Sequence, residues 1–300
     1  MKRLALIAAS LAVGAATAPP ARTVGAAEGT GRWPAIAQAP ADVPGYTVYR
    51  PARLPKARLP LVLWGNGGCR DNGLSASHFL REIASHGYIV VANGAPREEK
   101  PPLAALPEAG EAPAGPPPAA TADETSVAQL LGAIDWAARA YPGAVDTGRI
   151  AVMGHSCGGL QAIAAGADPR IDTVVAFNSG VYNRPGGGRS GVSVTKDDLR
   201  KLHTPIAYIL GGPTDIAYPN GSDDVARIDH VPVFYGNIAT GHGGTFALAH
   251  GGEYARVAVA WLDWRLRRDR RAGRVFAGPS CTLCVDPAWT VVRKQFPETP

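Results

Sequence analysis

This 300-residue sequence predicts an α/β domain built on a mostly parallel sheet covered by helices on both faces. Three observations predict it. Continuous apolar runs recur along the chain, apolar residues at helical spacing lie between several of them, and one run ends in a glycine-rich turn that opens directly into small residues.

Leu59–Trp64 reads as a buried strand that stops at Gly65-Asn66-Gly67-Gly68. Ser75–His86 reads as a helix, with Phe79, Leu80 and Ile83 on one stripe, and Tyr88–Ala92 as the next strand. From 96 to 120 the chain carries eight prolines and no periodicity, so a proline-rich insertion is expected there. Thr121 and Glu124 have the spacing of a capping box opening a helix through Ala140, with Val127, Leu130, Leu131, Ile134 and Trp136 as its apolar content. Ile150–Met153 is a strand that meets Gly154-His155-Ser156-Cys157-Gly158, with a helix over Gly159–Ala165. Further strands are expected at Ile171–Phe177, Pro205–Leu210 and Val231–Ile238, and helices at Lys196–His203 and Glu253–Arg268. No internal repeat and no second core are evident, so one domain is expected over 28–300, ending in a cysteine-containing tail at 275–300.

Met1-Lys2-Arg3 and the short apolar stretch Leu4–Ala16 read as a secretory signal, with cleavage after Ala18 or near Ala26-Ala27. Residues 1–27 are therefore set aside; they hold Lys2, Arg3 and Arg22 and no acid, so their removal takes the formal net charge from +5 to +2. Arg265, Arg267, Arg268, Arg270, Arg271 and Arg274 crowd one helix end, but Asp263 and Asp269 interrupt them and no nucleic-acid motif accompanies them. A solvated helix terminus is the expectation. No other apolar stretch is long enough to span a bilayer, and no metal or organic cofactor is implied. A secreted or periplasmic monomer is expected. Its four cysteines suggest two disulfides, Cys281–Cys284 as a small loop closure and Cys69–Cys157. Cys281-Thr-Leu-Cys284 also fits a redox pair or half a zinc site, although no further ligands stand at suitable spacing.

Gly154-x-Ser156-x-Gly158 between a strand and a helix is the pattern of a nucleophile elbow. A serine at the tip of a strained turn needs neighbours without bulky side chains. Serine is a weak nucleophile and needs a base, and the base needs an orienting acid. Asp215, after Pro205–Leu210, and His242, after Val231–Ile238, supply these from loops at the carboxyl ends of strands. Asp223 and Asp224 are alternative acids; His155, His230 and His250 are alternative bases, His155 being expected to point away from the nucleophile's face. The backbone N–H of Cys157 and that of Gly67, with Gly68 as its alternative, are candidate oxyanion donors. Tyr182 and Tyr218 are candidate pocket residues.

Several stretches carry a resemblance: Trp64-Gly-Asn-Gly-Gly-Cys69, Phe79–Tyr88, Ile134-Asp-Trp-Ala137, Gly154–Gly159, Gly241-His-Gly-Gly-Thr245 and Ala260-Trp-Leu-Asp-Trp264. The chain resembles secreted α/β-hydrolases of the dienelactone-hydrolase-like and polyester-hydrolase-like group, related to cutinases. The resemblance implies an α/β-hydrolase fold with a roughly eight-stranded sheet, and ester hydrolysis without a cofactor. Dienelactone hydrolases proper use a cysteine nucleophile, whereas serine holds the elbow here; cutinase-like enzymes commonly carry an aromatic residue in the oxyanion loop, where this chain has Gly67-Gly68. Cys69 follows the proposed oxyanion loop and Cys157 the serine, so a disulfide between them, rigidifying both halves of the oxyanion hole, requires Cα atoms within about 7 Å. The expected activity is hydrolysis of an ester, small or polymeric, by Ser156, His242 and Asp215. An acyltransferase, peptidase or amidase would use the same three residues. A non-catalytic binding protein would not need all three intact.

Overall fold

A computed structural model describes residues 21–106, 124–184, 192–296 and 299. The chain runs β1 (Ala21–Glu28), β2 (Ala35–Pro40), β3 (Tyr46–Pro51), β4 (Leu59–Gly65), α1 (Ser77–Ser85), β5 (Ile89–Asn93) and α2 (Val127–Ala140). It continues through β6 (Val145–His155), α3 (Cys157–Ala165), β7 (Thr173–Phe177), β8 (Ile206–Leu210), α4 (Tyr218–Arg227) and β9 (Val233–Ile238). α5 (Gly252–Arg267), α6 (Arg270–Gly273), α7 (Thr282–Val285) and β10 (Trp289–Lys294) complete it.

All these strands join one sheet in the order β1-β2-β3-β5-β4-β6-β7-β8-β9-β10. From β5 to β9 the pairing is parallel; β1, β2, β3 and β10 are antiparallel margins. The central strands are apolar throughout because both faces are covered. Leu61 and Leu63 of β4, Ile150 and Val152 of β6, and Val174 and Ala176 of β7 face a core shared with Leu130, Ile134 and Leu160 of α2 and α3. The intervening Val62, Trp64, Ala151, Met153, Val175 and Phe177 face the opposite core with Phe79, Ile83, Trp261 and Leu262 of α1 and α5. Period-two alternation is thus split between two helical layers. Between β4 and β6 the crossovers leave in opposite directions, the kind of point where loops part and a cleft opens.

Several expectations are corrected. The sheet has ten strands where about eight were expected. All of β1 but Glu28 falls in residues 1–27, set aside as signal, yet the strand pairs with β2 from Ala21↔Pro40 to Val24↔Ala37 and again at Glu28↔Ala35. Cleavage after Ala18 preserves that strand, whereas cleavage near Ala26-Ala27 removes it; the signal's apolar stretch itself lies outside the described residues. Thr121 also lies outside them, and α2 begins later than a Thr121–Glu124 capping box requires, with Ser126 Oγ accepting from Gln129 N at 3.1 Å. Glu124 instead forms a backbone bridge to Arg70. Most of the 96–120 insertion is undescribed, but its described borders are tied down: Leu103 N donates to Ala247 O, and Thr125 N to Cys69 O. The arginine-rich end of α5 is not uniformly solvated, since Arg265 lies over Trp264 and Arg267 over Tyr88 while reaching Asp263. Among the described residues, no helix is long and apolar enough to cross a membrane.

Candidate active site

β6 ends at His155, and the chain turns at Ser156 into α3. Ser156 has φ 53° and ψ −119°, which a residue with a side chain adopts only under constraint. The constraint is visible: Ser156 N donates to Phe177 O at 3.0 Å, and Ser179 Oγ donates to Ser156 O at 2.7 Å. Glycine is required on both sides, because a Cβ on Gly154 would run into the Gly158 carbonyl, and one on Gly158 into that of Gly65.

Asp215 and His242 come from the loops after β8 and β9. The Asp215 carboxylate is buried, 1% exposed, and accepts from Gly211 N at 3.1 Å and Ala217 N at 2.9 Å. Gly211 O in turn accepts from Thr240 N and Gly241 N at 3.1 and 2.7 Å, tying the Asp215 loop to the His242 loop. His242 Nδ1–H donates to Asp215 Oδ1 at 2.6 Å, and Ser156 Oγ–H donates to His242 Nε2 at 2.9 Å. A buried acceptor on Nδ1 fixes the tautomer that leaves Nε2 free to take a proton.

Facing the elbow, Gly67–Cys69 make a tight turn in which Gly68 has φ 66°. Asn66, fully buried, holds this loop by donating to Asn93 O and Arg70 O and by accepting from Trp64 Nε1 and Ser75 Oγ. The Cys69 and Cys157 sulfurs are at bonding distance, 2.01 Å, with Cα atoms 5.2 Å apart, inside the expected limit. Cys281 and Cys284 form the second pair. As the first residue of α3, Cys157 has no carbonyl one turn back to receive its N–H. A cavity of about 180 Å³ adjoins this region, lined by Trp64, Gly67, Ser75, His155, Gly243 and Phe246 among others.

The rival acids and two of the rival histidines, His230 and His250, lie elsewhere. Asp224 accepts from Val181 N, Lys196 Nζ and Tyr208 OH, and burial raises its carboxyl to about 6 despite Lys196. Asp223 pairs with Arg227 and Lys196, which lower it to about 2. His230 contacts Leu202 O, and His250 sits 3.7 Å from Glu82. Tyr182 and Tyr218 pack against the α2–α3 core instead of lining the cavity. His155 is a correction: its ring lies 5.2 Å from that of His242, and its Nε2–H donates to His242 O at 2.8 Å. Burial, then the His242 imidazole, push its pKa down to about 4, so it is neutral at pH 7.

Asn178 was not anticipated. It follows β7 with φ 43°, donates to Gly241 O and His242 O at 2.7 and 2.8 Å, and accepts from Tyr254 OH at 2.6 Å. Asparagine after a strand, in a residue class that tolerates positive φ, was the only signal available. Among the described residues, no group of three histidine, cysteine or acidic side chains could hold a metal ion. No family model matches the chain, and no curated protein matches it.

Proposed function

We propose that this chain is a secreted serine hydrolase of the α/β-hydrolase superfamily that cleaves carboxylic esters through an acyl-enzyme. The observation that carries the reading is the continuous hydrogen-bonded path from Asp215 through His242 to Ser156, with the serine on a strained strand-to-helix turn. The divergence of the crossovers beside β4 and β6 supports the hydrolase fold, and two cysteine pairs at bonding distance support export.

His242 Nε2 takes the Ser156 proton as Oγ attacks the ester carbonyl. Charge develops on the carbonyl oxygen, and the N–H groups of Gly67 and Cys157 are its donors. One such donor is worth roughly 3 kcal/mol of transition-state stabilisation in comparable sites. Asp215 stabilises the imidazolium without taking its proton. His242 then gives its proton to the leaving alcohol; the same groups activate water to release the acid.

Hydrolysis of p-nitrophenyl acetate and butyrate by wild type and Ser156→Ala tests the reading. The substitution should lower kcat by about 10⁴-fold or more. Equal rates would overturn the proposal. Longer acyl chains, aryl esters and a polyester film then resolve the substrate class.

A further inference from the structure

His155 touches three loops at once. It is covalently next to Ser156, its Nε2–H donates to the carbonyl of His242 at 2.8 Å, and its opposite edge abuts Gly67. A Cβ built on Gly67 would lie 2.6 Å from His155 Nδ1, and the three nearest atoms it would meet all belong to that ring. Gly67 does not have a positive φ, so its backbone does not by itself require glycine. Space for the imidazole does. Phe246 packs against the same ring at 4.9 Å between centroids.

We infer that His155 is a positioning residue: one imidazole ring sets the distance between the Gly67 loop and the His242 loop. The inference rests on the ester-hydrolase reading and adds to it a residue that contacts none of the reacting atoms. Asn178 Nδ2 donates to the same His242 carbonyl, so that oxygen is held from two directions and the base cannot slide along the sheet edge. Through Gly67 the ring fixes how near an oxyanion donor stands to the elbow. Displacement of such groups by about 1 Å costs on the order of 10²-fold in rate. A neutral histidine suits the task, since it offers one donor to the carbonyl and turns an unprotonated ring nitrogen, Nδ1, toward the glycine.

A double-mutant cycle on Gly67 and His155, read as kcat and KM for p-nitrophenyl acetate, tests this. Gly67→Ala alone should lower kcat by about 10- to 100-fold, because the new methyl displaces the ring or the loop. In the His155→Ala background the same methyl has room, and the further loss should fall below about threefold, with KM little changed. His155→Gln retains a donor for the carbonyl and should recover most of the kcat lost in His155→Ala. Independent, multiplying losses, or wild-type kcat in His155→Ala, would overturn the inference. Melting temperature and an intact Cys69–Cys157 bond are checked for each variant. Should His155→Ala not fold, His155→Gln against His155→Phe carries the test: equal kcat in both would overturn the inference, and a deficit confined to Phe supports it. Ser156→Ala is assayed alongside. Activity surviving in it would overturn the ester-hydrolase reading itself, whereas an inactive Ser156→Ala with an additive cycle overturns only the role of His155.

Discussion

The Asp215 carboxylate receives two backbone N–H groups and the His242 imidazole, so its position is over-determined before any substrate arrives. Asp215→Asn should therefore preserve the fold and cost about 10⁴-fold in kcat, because an amide at that position favours the wrong tautomer of His242. Steady-state kinetics with a matched melting curve checks it. Ser156, Asp215 and His242 were legible in the sequence, since each has a distinctive type and follows a recognisable strand. His155 and Asn178 were not: their parts depend on a backbone carbonyl 87 and 64 positions away, which no local pattern reports. His155 also makes a stability prediction. Its native pKa of about 4 lies below the ordinary 6.5, so the unfolded chain binds the extra proton first. The stability it contributes is complete above pH 6.5 and is lost as pH falls toward 4, by about 2–3 kcal/mol after allowance for partial exposure. His242 and Asp215 face it, so the measurement is a difference: denaturant melts of His155→Gln should show a shallower decline than wild type across that window.

Among the elements, the buried strands β4 to β9 were readable because they are short, apolar and flanked by turn residues. β2 and β3 escaped because prolines 34, 40, 44 and 51 punctuate them. α4 escaped because it opens Tyr-Pro-Asn-Gly, a turn signature, although proline is tolerated in a first helical turn. The start of α2 was misread for a related reason: Thr121 and Glu124 have the right spacing, but Ser126 is the residue whose hydroxyl reaches the free N–H. Ser126→Ala should cost about 1 kcal/mol of stability and leave ester hydrolysis unchanged, measured by urea melts and turnover. Where β4 and α3 cross, the demand is steric. Gly158→Ala should abolish a properly folded site, seen as a large fall in melting temperature with loss of activity.

At the scale of the whole molecule, the sheet's margins matter most for where the chain can be cut. β1 covers the edge of β2, and its Val24 carbonyl accepts from Arg81, a fully buried guanidinium also paired with Glu99. A chain starting at residue 21 should melt as the full-length chain does, while one starting at residue 29 leaves Arg81 short of an acceptor and should lose several degrees of melting temperature. The Cys69–Cys157 bond has a further consequence, for the order in which the chain matures. Its two cysteines are 88 positions apart, so the first is synthesised long before the second exists to receive it. Cys281 and Cys284 need only each other, across three positions. Four thiols admit three pairings, and only tertiary folding of the elbow onto the β4 loop selects the long-range one. Refolding from the reduced, denatured state should thus close Cys281–Cys284 early and regain the proposed esterase activity only with the later Cys69–Cys157 bond, as timed thiol trapping and mass spectrometry would record.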